Sequence, residues 1–319
     1  MQIPASSFLS RHPALRSLIA ESGITTDEIA HAKARILAEY VRLDALLPAD
    51  HLWKGEKIEH AQNCAQEVST HATLLGLEGV ERDVFEFLLF AHDVGRLQEA
   101  LEPEGETMER SSIHGTYSAA IIRQALGFTE ATESPLWHAI LLAITHHSDR
   151  NTPTRESLGD SDAAFALTCV IRDIDKLGGF DQATSYTADE TFKAHERLVS
   201  WKRQREADPE WGKEMNIIAP PDLLWDAFLN GRIPDRSRCR SYEAHMLQYL
   251  AWVFDVNTPE ILHLIVTGGG PKMVYEYLVS QLQNGSTELR SPADREEAAR
   301  QLAAMQVWAN EWMDGVLLK

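Results

Sequence analysis

Apolar residues recur along the whole chain at the three- and four-residue spacing of helices, and no segment alternates with period two over the length of a strand. Thr25 with Glu28 forms a capping box ahead of a helix that the pattern carries to about Leu46. Ser134-Pro135 and Thr258-Pro259 each place an N-cap residue before proline at a first helical position, while Gly178-Gly179 and Gly268-Gly269-Gly270 read as helix stops. The pattern predicts roughly a dozen helices and an all-α fold.

Three of the predicted helices are apolar nearly all round: Val80 to Ala91, Leu136 to Ile144 and Ala163 to Ile174. A helix without a polar face is buried on all sides, so these three are expected to form the centre. Their C-terminal ends run into His92-Asp93, His146-His147, and Asp173 with Asp175. Ionisable groups at such positions must be paired or must hold a metal, because a lone desolvated charge costs several kcal/mol, roughly. The partial negative charge of a helix C-terminus also favours a cation there.

Composition narrows the class. The chain has 319 residues, 44% hydrophobic and 24% charged, enough for a large core. It divides in expectation into an N-terminal helical segment (1–47), a metal-binding core (48–182) and a helical extension (183–319). The extension is rich in tryptophan (Trp201, Trp211, Trp225, Trp252, Trp308, Trp312), and the stretch 207–222, with Pro209, Pro220 and Pro221, reads as loop. Homodimer contacts and walls of a substrate pocket are both open roles for it. The formal charge of −18 opposes binding to long nucleic acid, which needs a basic face, but not to a small anion held by a metal and a few cations. The longest apolar stretches are about half of what a bilayer crossing needs, and Met1-Gln2-Ile3-Pro4 opens no secretory signal, so the expected location is cytoplasmic. Cys64, Cys169 and Cys239 fit neither a disulfide framework nor a cysteine-based zinc site.

Imidazoles and carboxylates suit divalent metals that activate water. His60 lies on a helix expected to start near Trp53, and Glu56, one turn earlier, shares its face. His92 and Asp93 are adjacent, so their side chains diverge by about 100° and reach different sides of one cluster; His146 and His147 do the same. This arrangement suits two metals better than one. His71 and His138 have no matching partners and are assigned to packing or solvent, and Ser112 and Cys64 lack a base for nucleophilic catalysis. Gly268 to Lys272 opens a helix, but no strand precedes it as a nucleotide loop requires.

The order His60, His92-Asp93, His114, His146-His147, Asp175 resembles the HD superfamily of metal-dependent phosphohydrolases. Phe90-Ala91-His92-Asp93-Val94-Gly95-Arg96 is similar to that family's signature, and Ile174-Asp175-Lys176-Leu177 to its closing motif. The resemblance covers residues 50 to 182, roughly, and implies an HD-domain helical bundle. Within the family it points to the branch with two or three metals. By that resemblance His60, His92, Asp93 and Asp175 hold one ion, Asp93 bridges to a second held by His114 and His146 or His147, and Glu56 matches a third-metal position. Asp173 competes with Asp175 as the last ligand. The chain departs from the cyclic-dinucleotide phosphodiesterases of that branch, since Ser148-Asp149-Arg150-Asn151-Thr152-Pro153 follows where they carry Gly-Tyr-Pro.

The resemblance implies metal-dependent hydrolysis of a phosphate mono- or diester on a small, phosphorylated, nucleotide-like substrate. Two divalent ions are expected, with manganese, iron, magnesium, nickel and zinc all open. Asp93 would bridge the ions, Arg96 would neutralise phosphoryl charge or form a surface ion pair, and His147 would serve as ligand or assist the leaving group. An HD-type diiron oxygenase cleaving a carbon-carbon or carbon-phosphorus bond uses nearly the same ligands, and a non-catalytic metal-binding regulator is the third class.

Overall fold

The computed structural model describes residues 6–51, 53–102, 113–129, 132–149, 152–188, 230, 232–233, 242–284, 300, 303–304 and 307. Ser112, Arg150, Asn151, Cys239, the stretch 207–222 and Trp201, Trp211, Trp225, Trp308 and Trp312 lie outside the described residues. Every described element is a helix, so the fold is all-α, and no strand occurs among the described residues.

The chain divides into two compact units. The one carrying the histidine cluster comprises Pro4–Gly178 with Asn257–Ile261, and the other contains Gly179–Val256 and Leu262–Lys319. The first unit begins with α1 (Phe8–Arg11), α2 (Pro13–Ser22) and α3 (Thr26–Leu46). At the start of α3 the capping box is formed: the Thr25 hydroxyl accepts from the Glu28 amide at 3.2 Å, and the Glu28 carboxylate accepts from the Thr25 amide at 2.8 Å. Next come α4 (Glu56–Leu75), α5 (Val80–Ala91), α6 (Gly95–Leu101), α7 (His114–Leu126) and α8 (Pro135–His146). Trp53 sits in the turn ahead of α4, so that helix starts three residues later than its pattern suggests. In α8, Ser134 caps the Trp137 amide with Pro135 in the first turn. After a short 3-10 turn at Glu156–Leu158, α9 runs over Asp162–Ala188.

The core forms around α5, α8 and the first half of α9. Val84, Phe85, Phe87 to Ala91, Leu136, Ile140, Leu141, Ile144, Leu167, Val170 and Ile171 are all buried. Around them α4 packs on α5, α7 on both α6 and α8, and α3 against α5, α6 and α7. Tyr40 of α3 is fully buried, and its hydroxyl donates to the Phe90 carbonyl at 3.0 Å, holding the end of α5 just before His92-Asp93. The unit is closed by residues from far along the chain. Asp173, fully buried in α9, accepts from the Asn257 amide at 2.9 Å and the Thr258 amide at 2.7 Å. Arg11 forms a two-pronged ion pair with buried Glu260 at 2.6 and 2.7 Å.

In the other unit, α10 (Tyr242–Ala251) packs on α12 (Gly270–Asn284), with a 3-10 turn at Trp252–Asp255. The helix α11 (Pro259–Thr267) ends where Gly268 and Gly269 begin, as their spacing suggests. Gly178-Gly179 does not stop a helix, because α9 continues through both. Their value is space: a Cβ on Gly179 would meet the Trp252 ring at 2.5 Å, so the missing side chain lets an indole lie against helix backbone.

Candidate metal centre

Five elements deliver the cluster. His60 comes from the second turn of α4, His92 and Asp93 follow the last residue of α5, His114 opens α7, His147 caps α8 and Asp175 lies within α9. Two glycines permit the approach. A Cβ on Gly95 would overlap the His114 carbonyl oxygen and the Ser118 amide, and one on Gly115 would overlap the carbonyl oxygens of Thr145 and Ile144. Any side chain there would push α6 from α7, or α7 from α8. The Gly95 amide donates to the Ser118 hydroxyl at 2.8 Å, which fixes the turn after Asp93.

Two histidines are oriented by their own helices. His92 Nδ1 lies 2.7 Å from the Leu89 carbonyl and His147 Nδ1 lies 2.6 Å from the Ile144 carbonyl. A carbonyl only accepts, so Nδ1 must carry the proton in each ring, and the Nε2 lone pair faces the cluster. This is the arrangement that prepares an imidazole for a metal. His92 Nε2 is buried with no hydrogen-bond partner, although its neighbour Asp175 Oδ1 lies 3.7 Å away. His114 Nε2 and His147 Nε2 face each other at 3.1 Å, and Asp93 Oδ1 lies 3.2 and 3.7 Å from them. In the metal-free site His114 Nε2–H can donate to the lone pair of His147 Nε2, which its Nδ1 bond to Ile144 leaves free to accept. On the other side, His60 Nε2 stands 3.1 Å from Asp175 Oδ1 and 3.9 Å from Asp93 Oδ2. The two Asp93 oxygens therefore face the two halves of the cluster.

Charge is arranged to match. Burial acts to raise the Asp93 carboxyl, but Lys57 and Arg96 outweigh it, with His147 and His92 adding, and the group is held well below the usual carboxylate range. Lys57 Nζ lies 3.2 Å from Asp93 Oδ2 and Arg96 Nε lies 3.5 Å from Oδ1. At Asp175 burial also raises, and the His60 imidazole at 3.1 Å with the His92 ring beyond it reverses that, so this carboxyl is well below its usual range. Although Asp175 sits deep among its neighbours, 41% of its side-chain surface is still open, which leaves the cluster reachable from solvent on that side. Burial, aided by Arg96, holds His114 well below the usual imidazole value, and burial lowers His147 too. Both rings are neutral near pH 7, the form that coordinates metal. For the buried Cys64 thiol, desolvation and the nearby Asp175 and Asp93 push the pKa well up.

The geometry brings together His60, His92, Asp93, His114, His147 and Asp175. It sets His146 apart, because that ring turns to Asp149 at 2.8 Å while its neighbour His147 enters the cluster. Of the two roles open to His147, the geometry serves the ligand role: one ring nitrogen donates to Ile144 and the other faces Asp93 and His114. Asp173 is the buried anchor of residues 257 and 258, which leaves Asp175 as the carboxylate of α9 in the cluster. Glu56 opens α4 part-buried, and its carboxylate is not among the donor groups that converge. His71 pairs with Glu67 and His138 with Glu133, both partly exposed.

Three neighbours escaped the sequence reading. Cys64 lies one helical turn after His60, with Sγ 3.6 Å from His60 Nε2, and the spacing of four residues was the available signal. Lys57 and Trp53 stand at the same end of α4, with the Lys57 ammonium 5.6 Å and the Arg96 guanidinium 5.9 Å from the Trp53 ring centre. The His92, Asp93 and His147 donors converge closely enough to hold a metal ion, and so do those of His60, Cys64, His92 and Asp175. The chain matches no protein-family model, no curated protein and no solved structure. No helix among the described residues is long and apolar enough to cross a membrane.

Proposed function

We propose that this chain is an HD-type hydrolase of phosphate mono- or diesters, acting on a small nucleotide-like molecule through two divalent metal ions. The observation that carries this reading is the placement of Asp93, whose Oδ1 faces His114 and His147 while Oδ2 faces His60. A carboxylate held that way suits a bridge between two ions.

Bound divalent ions supply a water acidified toward neutrality and a Lewis acid for the phosphoryl oxygens. The rest falls to side chains. His92 and His147, locked by the Leu89 and Ile144 carbonyls, keep their donor nitrogens aimed without a rotamer search. Arg96 and Lys57 balance the charge of Asp93 in the metal-free site. With Asp93 engaged by metal, Lys57 and Arg96, the latter also paired with buried Glu99 at 3.3 Å, would be the cations nearest an anionic substrate and would neutralise charge developing on its phosphoryl group. The Trp53 ring backs both and limits their movement.

The test is metal analysis of anaerobically prepared protein, followed by a panel of phosphomonoesters, phosphodiesters and nucleotides with manganese(II), iron(II) or zinc(II). Chelation is expected to abolish activity on at least one ester, and a divalent ion to restore it. Full activity in metal-free protein would sink the proposal. So would an iron-loaded protein that hydrolyses no ester but consumes oxygen with a polyol or phosphonate.

A further inference from the structure

We infer that Cys64 is a thiolate ligand of the ion on the His60 side, which makes that half of the centre selective for zinc(II), iron(II) or cobalt(II) over magnesium(II) and manganese(II). The inference rests on the two-metal reading above. His60 and Cys64 are four residues apart on α4 and share a face. Their donor atoms converge with those of His92 and Asp175 in a group of four.

The separations fit a single ion. A tetrahedral centre with metal–nitrogen and metal–oxygen bonds near 2.0–2.1 Å and a metal–sulfur bond near 2.3 Å places its donors about 3.3–3.6 Å apart. Here Cys64 Sγ is 3.6 Å from His60 Nε2, His60 Nε2 is 3.1 Å from Asp175 Oδ1, and Asp175 Oδ1 is 3.7 Å from His92 Nε2. All the remaining separations in the group lie within 4.8 Å, so side-chain adjustment about one ion completes the set.

A second, independent observation points to a ligand in this space. His92 Nε2 is buried, has no hydrogen-bond partner, and is aimed at the same point by the bond from its Nδ1 to the Leu89 carbonyl. A buried ring nitrogen left without a partner is destabilising, and an ion bound there satisfies it. Coordination forms a metal–sulfur bond and releases the Cys64 proton to solvent, with no change of oxidation state. Sulfur is a soft donor, which disfavours magnesium and manganese, and these four donors, with the bridging Asp93 Oδ2 as a fifth, close this half. Water activation then falls to the side of Asp93, His114 and His147, where three protein donors leave positions open.

The experiment is cobalt(II) substitution of the full chain followed by absorption spectroscopy, with Cys64→Ser, Cys64→Ala and Cys169→Ser compared by circular dichroism and metal stoichiometry. Wild type and Cys169→Ser are expected to show a near-ultraviolet sulfur-to-cobalt charge-transfer band, and both Cys64 variants to lose it. Zinc(II) affinity is expected to fall by at least ~10-fold in Cys64→Ala, with manganese(II) affinity changed far less. Cobalt bound by wild type without that band overturns the role of Cys64 and leaves the metal centre standing. A band that persists in a folded Cys64→Ala overturns it as well. Failure of wild type to bind cobalt, zinc or iron overturns the two-metal reading too.

Discussion

Asp93 is the residue on which both halves of the proposed centre depend, and its replacement separates a catalytic cluster from a merely polar one. Asp93→Asn keeps the shape but removes the charge that balances Lys57 and Arg96 and the second strong oxygen donor. Activity is expected to fall by at least ~10²-fold, as for loss of a major electrostatic element. Helicity should survive, because the side chain lies beyond the end of α5 and contributes little apolar packing. His71→Ala, which removes only a partly exposed contact to Glu67, is expected to leave rate and metal content unchanged. Measuring metal content, circular dichroism and rate together decides the matter: near-normal rate in Asp93→Asn, or greater damage in His71→Ala, would overturn the ligand set. His92, Asp93, His147 and Asp175 were legible in the sequence because each follows the inner end of an apolar helix, whereas His60 and His114 stood out only through the order they share with the HD pattern. The choice between His146 and His147 was not legible, because adjacent residues diverge by about 100° and the stopping point of α8 decides which one turns inward. Cys64 does not stand out as a nucleophile or as part of a cysteine set; only its place four residues after His60 on one helix face marks it.

At the scale of elements, the helices meet through backbone wherever a side chain has been left out. Gly115→Ala is expected to destabilise the protein by about 1–3 kcal/mol, since its Cβ must push α7 away from the carbonyls of Ile144 and Thr145. Metal content should fall with it, because the Ile144 carbonyl also orients His147 and His114 is the neighbouring residue. Gly178→Ala should act in the opposite direction. It lies inside α9, its Cβ would have only Cys64 Sγ nearby at 3.8 Å among the described residues, and the gain in helix propensity is about 0.5–1 kcal/mol. Denaturant midpoints of the two variants check both signs. The helix pattern could not distinguish a glycine that stops a helix from one that admits a neighbouring ring, since that depends on Trp252, more than seventy residues later.

The junction of α7 and α8 also carries a pH dependence. Glu133 accepts from Arg123 of α7 at 2.9 Å and pairs with His138 of α8 at 2.8 Å. Burial pushes its carboxyl up, the hydrogen bonds from Arg123 and His138 outweigh that, and it titrates below its usual range. A carboxyl lowered by folding contributes stability that is fully present above its unfolded pKa and is lost as pH falls through the folded one. Glu133→Gln is expected to be less stable than wild type by about 1 kcal/mol at neutral pH, discounted for the solvent around Arg123 and His138. The gap should start to close as pH falls below the usual glutamate range and vanish once pH has fallen through the lowered pKa of the folded carboxyl. A gap independent of pH would show that packing, not charge, supplies the difference.

For the molecule as a whole, the least legible feature was the contribution of residues 257–261 to the unit that carries the cluster. Thr258-Pro259 announced a helix start, but nothing in a one-dimensional pattern states that the amides before it belong to Asp173 or that Glu260 belongs to Arg11. Arg11→Met should expose the strength of that closure. Glu260 has no exposed side-chain surface, and the variant leaves its charge buried without its partner. The expected loss is about 3 kcal/mol, at the lower end for a broken buried pair because Arg11 itself is 28% exposed. Double replacement, Arg11→Met with Glu260→Gln, should recover part of it in the same unfolding measurement, and no recovery would show that Arg11 acts through packing alone.

The interruption of that unit in sequence sets an order of assembly during synthesis. All six histidines and aspartates of the cluster, and Cys64, lie before residue 178, whereas the segment that satisfies Asp173 and Arg11 follows the intervening residues 179–256. At about 5–20 residues per second, that interval occupies roughly 4–16 s. A nascent chain therefore presents its ligands well before the segment that ties down α9 has been made, so ion capture can precede closure.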